Sequence, residues 1–187
     1  MTKKNTLTQK EKTLEFEHRL DADRVFTLLP IRPYQKVADI GCGTGHFSLP
    51  LAKYLYDGTV YVVDTKPEML EATREKLMPY RFSNVEFIKS KETSVPISSA
   101  SLDGALISCV LYQASDRAAL LRSVSSLMQH GGWIAIIEWY KRDTPDGPAI
   151  ANRVSEDEIK TMAVDNKLRF VSVRSLGDSH YIIIFAA

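Results

Sequence analysis

Three glycines at alternate positions form a short loop in the first quarter of the chain. Asp39–Gly45 reads DIGCGTG; it follows the apolar run Val37–Ile40 and precedes the helical pattern His46–Leu55. Glycines at such a junction permit a tight turn and let a ligand approach the bare backbone, with helix N-terminal N–H groups directed at it. A plain connecting turn is the alternative, but it does not need three residues that lose so much conformational entropy on folding. The loop therefore favours a cofactor site.

An acidic residue at the end of the second apolar run complements this loop. Asp64 follows Val60–Val63, about 20 residues after the glycines, where a carboxylate can accept hydrogen bonds from the 2′ and 3′ hydroxyls of a ribose. The alternative is a helix-start acid beside Thr65. A dinucleotide loop, G-x-G-x-x-G, would need glycine where His46 stands, and no G-K-S or G-K-T sequence follows for a P-loop. The glycine loop and Asp64 together predict a nucleoside cofactor, and the sequence that follows the glycines disfavours a dinucleotide-binding loop and a P-loop.

The remaining composition excludes several other kinds of chemistry. Histidines without ligand spacing and two isolated cysteines argue against a metal site and a disulfide framework; these residues are His18, His46, His130, His180, Cys42 and Cys109. The 24 Lys and Arg residues balance 23 Asp and Glu residues, so the net charge of +1 gives no basic surplus for nucleic acid. No apolar run reaches the roughly 18 to 20 residues of a membrane-spanning helix, and the polar N-terminus carries no secretory signal. We expect a cytoplasmic protein of one domain, without a metal and without insertion into a membrane.

Alternating apolar runs and helical patterns must position the candidate residues. Continuous apolar runs fit strands buried on both faces of a parallel sheet, and five occur: Val37–Ile40, Val60–Val63, Val85–Ile88, Gly104–Val110 and Trp133–Ile137. Capping boxes at Thr65–Glu68 and Ser155–Glu158 predict two helix starts, and the first helix is expected to run to about Met78. A third helical stripe is introduced by Ser115–Asp116 and is expected to stop at Gly131–Gly132.

The two ends of the chain differ from this alternation. Arg169–Leu176 and His180–Ala186 are strand-like runs joined only by Gly177–Ser179, and so short a connection forces the two strands to pair antiparallel. An N-terminal helix is expected over about Leu14–Leu29. The sequence thus predicts five βα-type units that are closed by a β-hairpin.

These motifs resemble those of the class I S-adenosylmethionine-dependent methyltransferases, in particular the small-molecule group typified by the ubiquinone and menaquinone biosynthesis methyltransferases. Val37–Gly45, Val60–Leu70, Ser101–Val110 and Gln129–Trp139 carry the resemblance, which covers roughly residues 30–187. It implies an α/β fold, a Rossmann-like three-layer αβα sandwich around a seven-stranded, mostly parallel sheet with an antiparallel C-terminal strand. The implied organisation is a single methyltransferase domain over residues 1–187, with an N-terminal helical segment at 1–30 and a Rossmann-like core at 31–187.

The resemblance also implies which residues bind S-adenosylmethionine and its product S-adenosylhomocysteine. Asp64 would hold the ribose, and Thr65 and Met69 would lie beside the adenine. The methionine part would be surrounded by the glycine loop and the end of the fourth strand: Asp39, Gly41, Cys42, Gly43, Gly45, Ser108, Cys109 and Val110. One position departs from the family pattern, because Lys91 replaces the acid that normally meets the adenine amino group. Lysine has no acceptor, so a backbone carbonyl or the neighbouring Glu92 is expected to supply the adenine contact in that loop.

Methyl transfer from a sulfonium is a displacement on an activated carbon, so the main requirements are alignment of the nucleophile and exclusion of water. A base is useful when the acceptor must lose a proton, and the candidates by position are His46, Tyr112, Gln113, Glu138, Trp139 and Tyr140. The alternatives are a helix-start or cofactor-edge role for His46, a cation partner for Glu138, and cavity walls for Tyr112 and Trp139. Relatives often have histidine where Tyr112 stands, so the identity of any base stays open.

The sequence therefore predicts an enzyme that transfers a methyl group from S-adenosylmethionine to a small-molecule acceptor. Two segments are expected to grip that acceptor: Tyr140–Arg153 as a mobile loop over the site, and Phe16–Leu20 at the opposite rim, with solvated segments as the alternative. Two other functions stay open, a nicotinamide-dependent oxidoreductase and a methyltransferase-fold subunit that binds cofactor or a partner protein without turnover. Monomer and homodimer are both compatible with the sequence.

Overall fold

A seven-stranded sheet forms the centre of the molecule. The computed structural model describes residues 20–187, and its strands are β1 Lys36–Ile40, β2 Thr59–Asp64, β3 Val85–Lys89, β4 Leu102–Ser108, β5 Met128–Trp139, β6 Arg169–Leu176 and β7 His180–Ala186. Their order across the sheet is β3-β2-β1-β4-β5-β7-β6. Successive residues of the central strands are buried on opposite faces, for example Leu106 and Ile107 in β4, as in sheets that are covered on both sides.

The C-terminal hairpin closes the sheet in the predicted way. β7 lies antiparallel between β5 and β6, while the other six strands are parallel to one another. Trp133 pairs with Ala186 at one end of the β5–β7 ladder, and Trp139 pairs with His180 at the other. Gly177 supplies a positive φ of 76° in the connecting turn. The predicted seven-stranded, mostly parallel sheet is confirmed.

Helices cover both faces of the sheet and complete the predicted three-layer sandwich. One face carries α1 Ala22–Leu28, α2 Ser48–Tyr54 and α3 Pro67–Leu77; the other carries α4 Arg117–Leu127 and α5 Glu156–Asp165. Short 3-10 turns occur at Met78–Tyr80, Leu111–Gln113 and Ile150–Asn152. Leu51 and Leu70 pack in the first apolar layer, and Leu121 and Ile159 pack in the second. No helix within residues 20–187 is long and apolar enough to cross a membrane.

Two predicted helix starts near the glycine loop are corrected. The Thr65–Glu68 capping box does not form, because Lys66 is the N-cap of α3 and no side chain caps it. Asp64 instead satisfies this helix end, since its Oδ1 accepts a hydrogen bond from the Lys66 N–H at 2.9 Å. α2 begins at Ser48 rather than at His46. The glycine loop is therefore longer than the sequence indicates.

The structure confirms one further predicted helix boundary and contradicts another. The Ser155–Glu158 capping box is confirmed, with both reciprocal hydrogen bonds present. The predicted stop at Gly131–Gly132 is wrong, because α4 ends at Leu127 and both glycines lie inside β5. The N-terminal helix covers Ala22–Leu28 in the described chain and starts from the N-cap Asp21. Residues 14–19 of the predicted helix, and all of the Phe16–Leu20 segment except Leu20, lie outside the described residues.

One buried arginine organises the segment after β5, for which the sequence predicts a mobile loop. The Arg153 side chain donates hydrogen bonds to the carbonyls of Tyr140 (3.0 Å), Arg142 (2.8 Å), Asp146 (3.1 Å) and Pro148 (2.9 Å), and to Thr144 Oγ1 (2.7 Å). Its guanidinium also lies 5.5 Å from the centre of the Trp139 ring. These contacts tie the loop internally and hold it against the end of β5. That the loop moves over the site stays a prediction.

We expect Arg153→Ala to release this loop and to lower the free energy of unfolding by about 2–4 kcal/mol, because several charge-assisted hydrogen bonds are lost and only partly replaced by water. Arg153→Lys keeps the charge but not the planar fork of donors, so it should recover only part of the loss. Urea denaturation and the rate of limited proteolysis within residues 141–152 measure the effect. Arg122→Ala, at an exposed arginine of α4, is the control, and equal proteolysis rates in the two alanine variants would contradict the assignment.

Candidate functional site

The glycine loop lies at the carboxyl end of β1, directly beside the end of β2. Gly41, Gly43 and Gly45 have positive φ values of 72°, 55° and 78°, a region that other L-residues enter only at a cost. The backbone N–H groups of Gly41 and Cys42 donate to the Val63 carbonyl at 2.8 and 3.0 Å. These bonds fix the loop against β2 and leave its outer side free of strand pairing.

The three glycines serve different purposes. A methyl group at Gly41 would lie 2.4 Å from Val110 Cγ2, and one at Gly45 would lie 2.7 Å from Thr73 Cγ2. One at Gly43 would meet no atom of the described residues within 4 Å. Gly41 and Gly45 are therefore required by packing inside the protein, whereas Gly43 borders open space in which a ligand can lie against the backbone.

Asp64 faces this loop from the end of β2 and is 7% exposed. Its Oδ2 accepts a hydrogen bond from the Gly43 N–H at 3.1 Å and lies 4.0 Å from Cys42 Sγ, while its Oδ1 accepts from Lys66 N–H. Each carboxylate oxygen has capacity for a further hydrogen bond. Asp64 thus satisfies the start of α3 and also lies beside the loop with free acceptor capacity. Its role as the ribose acceptor stays a prediction.

A second carboxylate lies beneath the loop. Asp39 is buried, and its Oδ2 accepts a hydrogen bond from Ser48 Oγ at 2.5 Å. Burial raises the pKa of Asp39 to about 6; the Ser48 hydrogen bond opposes this shift, and the charge of Asp64 adds to it. Two neighbouring buried carboxyl groups favour a ligand that brings positive charge, because such a ligand would stabilise their ionised forms.

Sequence reasoning missed Thr73, which holds the loop from the helix side. Thr73 is fully buried on α3, its Oγ1 donates to the Gly43 carbonyl at 2.8 Å, and it lies 3.7 Å from Cys42 Sγ. A signal was available, because Leu70, Thr73 and Leu77 share the buried stripe of α3. A hydroxyl on such a stripe needs a hydrogen-bond partner, and the glycine loop supplies it.

The turn after β3 adjoins Asp64 through the backbone. The Ser90 N–H donates to the Asp64 carbonyl at 3.0 Å, and Lys91 forms an isolated bridge with Ser94. Thr65 is exposed and Met69 is half-buried at the start of α3. The structure thus gathers the proposed adenine-side residues near Asp64, with no acceptor on the Lys91 side chain.

Glu92 makes contacts of a different kind. Its Oε1 accepts hydrogen bonds from Ser115 N–H (2.6 Å), Ser115 Oγ (2.8 Å) and Asp116 N–H (3.2 Å). These bonds hold the pKa of Glu92 below its usual value. The Glu92 carboxylate therefore fastens the connection that leads into α4, and a backbone carbonyl is the better candidate for the missing adenine contact.

The end of β4 supplies the third side of the site. β4 ends at Ser108, so Cys109 and Val110 follow the strand instead of finishing it. Cys109 has a positive φ of 55°, and Val110 packs on Gly41. The Ser108 Oγ is buried without a hydrogen-bond partner among residues 20–187, which fits a site whose ligand supplies one. Burial raises the pKa of the Cys109 thiol well above its usual value, as it does for Cys42, so neither is a reactive thiolate.

Two of the candidate bases have clear positions at the edge of the site. The His46 Nε2 lies 2.5 Å from the Leu20 carbonyl, and since a carbonyl only accepts, this nitrogen carries the proton and donates. His46 thus ties the glycine loop to the N-terminal segment. Tyr140 is half-buried, with its ring 5.4 Å from that of Tyr181. Gln113, also considered by position, donates from Nε2 to the Cys109 carbonyl at 2.8 Å.

Buried Glu138 of β5 lies beside half-buried Tyr112, which belongs to the turn after β4. Glu138 is fully buried, and its Oε1 accepts from the Tyr112 N–H at 3.2 Å. Burial raises the pKa of Glu138 to about 7, and backbone hydrogen bonds and the charge of Arg117 oppose this shift. Burial also raises the pKa of Tyr112 to about 12, with additions from Cys109 and Glu138. The Arg117 side chain donates to backbone carbonyls, one of them that of Leu111, so the alternative of Glu138 paired directly with a cation is not what the structure contains.

The raised pKa of Glu138 predicts a pH-dependent stability. Between the unfolded value of 4.5 and the folded value of about 7, the folded chain binds more protons than the unfolded chain, so the free energy of unfolding falls as the pH rises through this window. The full contribution is about 3 kcal/mol, present below pH 4.5 and lost above pH 7. Glu138→Gln should flatten this slope, which urea denaturation at pH 5 and pH 8 measures. An unchanged slope in the variant would contradict the assignment.

The arrangement is a cradle at the carboxyl edge of a parallel sheet, where ligands of such sheets collect. Open backbone at Gly43, the acceptor Asp64, the orphaned Ser108 hydroxyl and the neighbouring Asp39 carboxyl fit a nucleoside that also carries positive charge. Within the described residues, no three His, Cys, Asp or Glu side chains come together in a group that could bind a metal ion. The residues present therefore suit a sulfonium nucleoside such as S-adenosylmethionine.

Known proteins share this sequence pattern. The family model of the methyltransferase domain matches residues 31–171. A Coxiella burnetii protein named ubiquinone/menaquinone biosynthesis C-methyltransferase UbiE is 27% identical over 126 residues, which are 66% of this chain and 50% of that protein. A Campylobacter jejuni protein of the same name is 31% identical over 115 residues, 58% of this chain and 46% of that protein. The chain spans about half the length of the curated relatives it matches.

Solved structures share the fold. A S-adenosylmethionine-dependent methyltransferase from Aquifex aeolicus superposes with a TM-score of 0.86 at 22% identity, covering 96% of this chain and 99% of that one. Geranyl diphosphate methyltransferase in complex with S-adenosylmethionine gives 0.75 at 15% identity, over 90% and 86% of the two chains. The [4+2]-cyclase SpnF gives 0.76 at 13% identity, over 88% and 79%. The match to residues 31–171 decides the family: the chain belongs to the methyltransferase domain family and has the Rossmann-like fold of the class I S-adenosylmethionine-dependent methyltransferases.

Proposed function

We propose that the protein transfers the methyl group of S-adenosylmethionine to a small-molecule acceptor. The observation that carries the proposal is that the open backbone at Gly43 lies beside the Asp64 carboxylate, which can accept further hydrogen bonds. The family and the fold support S-adenosylmethionine as the cofactor, and we place its site at this edge of the sheet. The proposal covers a single methyltransferase domain, with the core at residues 31–187.

In this proposal, each side of the cradle binds one part of the cofactor. Asp64 accepts hydrogen bonds from the ribose hydroxyls, and Thr65, Met69 and the backbone near Lys91 border the adenine. The methionine part lies along the glycine loop and the end of β4, with Asp39, Gly41, Cys42, Gly43, Gly45, Ser108, Cys109 and Val110 around it. The negative charge of the two aspartates favours the cationic donor over its neutral product.

The bound cofactor supplies an activated methyl group, and the protein aligns the acceptor with it and excludes water. Glu138 is fully buried and His46 is bonded to Leu20, so neither is favoured as a base that contacts the acceptor. Tyr112 and Tyr140 are the remaining candidates by position. With a raised pKa, Tyr112 stays a neutral hydroxyl that orients an acceptor by hydrogen bonding and does not remove its proton at neutral pH.

The names of the relatives suggest which class of acceptor to test first. The relatives named as C-methyltransferases of ubiquinone and menaquinone biosynthesis make an aromatic carbon of a quinone precursor the first acceptor to assay. The cytoplasmic location that we propose agrees with the two buried, unbridged cysteines.

Isothermal titration with S-adenosylmethionine, S-adenosylhomocysteine and NAD tests the cofactor assignment. We expect micromolar binding of the first two ligands and none of NAD, and the reverse would favour the oxidoreductase alternative. Transfer of a labelled methyl group to members of a panel of small phenols, quinols and amines then separates an enzyme from a subunit that binds the cofactor without turnover. No binding of either sulfur nucleoside at millimolar concentration would refute the proposal.

A further inference from the structure

We propose that Glu138 is a positioning residue, which holds the turn after β4 against the glycine loop without touching cofactor or acceptor. The inference rests on the proposed function, because the loop that it supports is the proposed cofactor loop. Four observations carry it: the burial of Glu138, its hydrogen bond from the Tyr112 backbone N–H, the packing of Val110 on Gly41, and the groups that surround the carboxyl.

Glu138 is the penultimate residue of β5 and has no solvent exposure. Its Oε1 accepts the Tyr112 N–H at 3.2 Å, and its buried Oε2 has no hydrogen-bond partner among the described residues. Leu111 and Tyr112 begin the 3-10 turn that follows β4, where the first N–H groups have no partner within the turn. The carboxylate therefore caps this turn from the neighbouring strand.

The capped turn contacts the glycine loop through Val110. Val110 immediately precedes the turn, and its Cγ2 lies so close to Gly41 that a methyl group there would approach to 2.4 Å. Cys109, one residue earlier, has a positive φ of 55°. Its carbonyl accepts from Gln113 Nε2 at 2.8 Å, which closes the turn on itself. A strained connection of this kind persists only when its surroundings hold it, and Glu138 is the charged group that does so.

The groups around the carboxyl come from three elements. Tyr112 and Cys109 belong to the β4 connection, Arg117 to α4 and Tyr181 to β7. Only Arg117 carries positive charge, and its side chain donates to the Leu111 carbonyl at 3.1 Å. Burial raises the pKa of Glu138 to about 7, so ionisation of the carboxyl makes it easier to open the turn and return the group to water.

Hydrogen–deuterium exchange and ligand titration on paired variants test the inference. Glu138→Leu removes the acceptor, while Glu138→Gln keeps an oxygen for the Tyr112 N–H. We expect the leucine variant to exchange the Leu111 and Tyr112 amides about tenfold faster and to bind S-adenosylhomocysteine about tenfold more weakly. The glutamine variant should stay within about threefold of the wild type in both measurements. Glu75→Leu, at an exposed glutamate of α3, is the matched control.

The pH dependence of the same amides separates a positioning carboxylate from a space-filling side chain. In the wild type, the protection of the Tyr112 amide should fall as the pH passes about 7, because opening the turn returns the ionised carboxylate to water, and this step should be absent from Glu138→Gln. This comparison decides the question even if Glu138→Leu does not fold. Wild-type protection without a step, or a folded leucine variant with unchanged exchange and affinity, would overturn the inference. A wild type that binds no S-adenosylhomocysteine would overturn the proposed function instead, since the exchange measurements need no ligand.

Discussion

Asp64→Ala is expected to weaken the binding of S-adenosylhomocysteine at least about 100-fold. Two ribose hydroxyls donating to one carboxylate are charge-assisted bonds worth about 1.5–3 kcal/mol each, and 1.4 kcal/mol corresponds to a factor of ten. The variant also removes the acceptor of the Gly43 N–H, which lies 3.1 Å from Oδ2. Isothermal titration on the folded variant measures the loss.

Two further substitutions identify the source of this effect. Asp64→Asn keeps one acceptor oxygen but places an NH2 group where a second is needed, so an intermediate loss is expected. Asp57→Ala removes an exposed acid just before β2 and should leave the affinity within about twofold of the wild type. Wild-type affinity in folded Asp64→Ala would contradict the ribose assignment.

Gly43→Ala should weaken the binding of S-adenosylhomocysteine by a factor similar to that expected for Asp64→Ala, while the fold persists. The added methyl group would meet no atom of the described part of the chain within 4 Å, so it would occupy the space in which we propose that the ligand approaches the backbone. A φ of 55° adds conformational strain of about 1–2 kcal/mol, which lowers the melting temperature without unfolding the chain. Titration with S-adenosylhomocysteine and a thermal melt together separate occlusion from strain.

The C-terminal hairpin provides a matched control for Gly43→Ala. Gly177 has a φ of 76°, and a methyl group there would likewise meet nothing within 4 Å. Gly177→Ala should therefore cost similar stability and leave the affinity unchanged, because the turn lies outside the proposed site. Equal affinities in the two variants would show that Gly43 does not border the ligand. Gly41→Ala should lose more stability than either, because its methyl group would lie 2.4 Å from Val110 Cγ2.

Most elements of the fold could be predicted from the sequence, because the apolar runs and short connections that specify them each span only a few neighbouring residues. Continuous apolar runs identified the five parallel strands before the hairpin, and the three-residue link Gly177–Ser179 was too short for anything other than an antiparallel pair. The Ser155–Glu158 capping box was correct, whereas Thr65–Glu68 was not, because Asp64 satisfies that helix end from the strand before it. Residues of the same types can cap a helix, or a neighbouring side chain can take over that role. The sequence pattern does not distinguish the two cases.

The candidate site likewise has parts that the sequence predicts and parts that only the packing of the elements decides. The alternating glycines and Asp64 were visible as a spaced motif, but the part that each glycine plays depends on Val110 and Thr73, which lie far along the chain. Glu92 stood near the expected adenine contact, yet its carboxylate binds Ser115 and Asp116. Contacts across such distances in sequence are set by how the elements pack, and one sequence carries no record of them.

The amino-acid sequence by itself determined the types of the main elements, the glycine loop and the acid after β2, because hydrophobic periodicity and backbone freedom act within a few residues. Only the tertiary structure decided that Gly43 borders open space while Gly41 and Gly45 are packed, that Arg153 ties down the loop after β5, and that Glu138 is buried beneath the β4 turn. These properties arise where separate strands end at one edge of the sheet. Burial, which shifts the pKa of Glu138 and leaves Ser108 without a partner, exists only once those strands have come together.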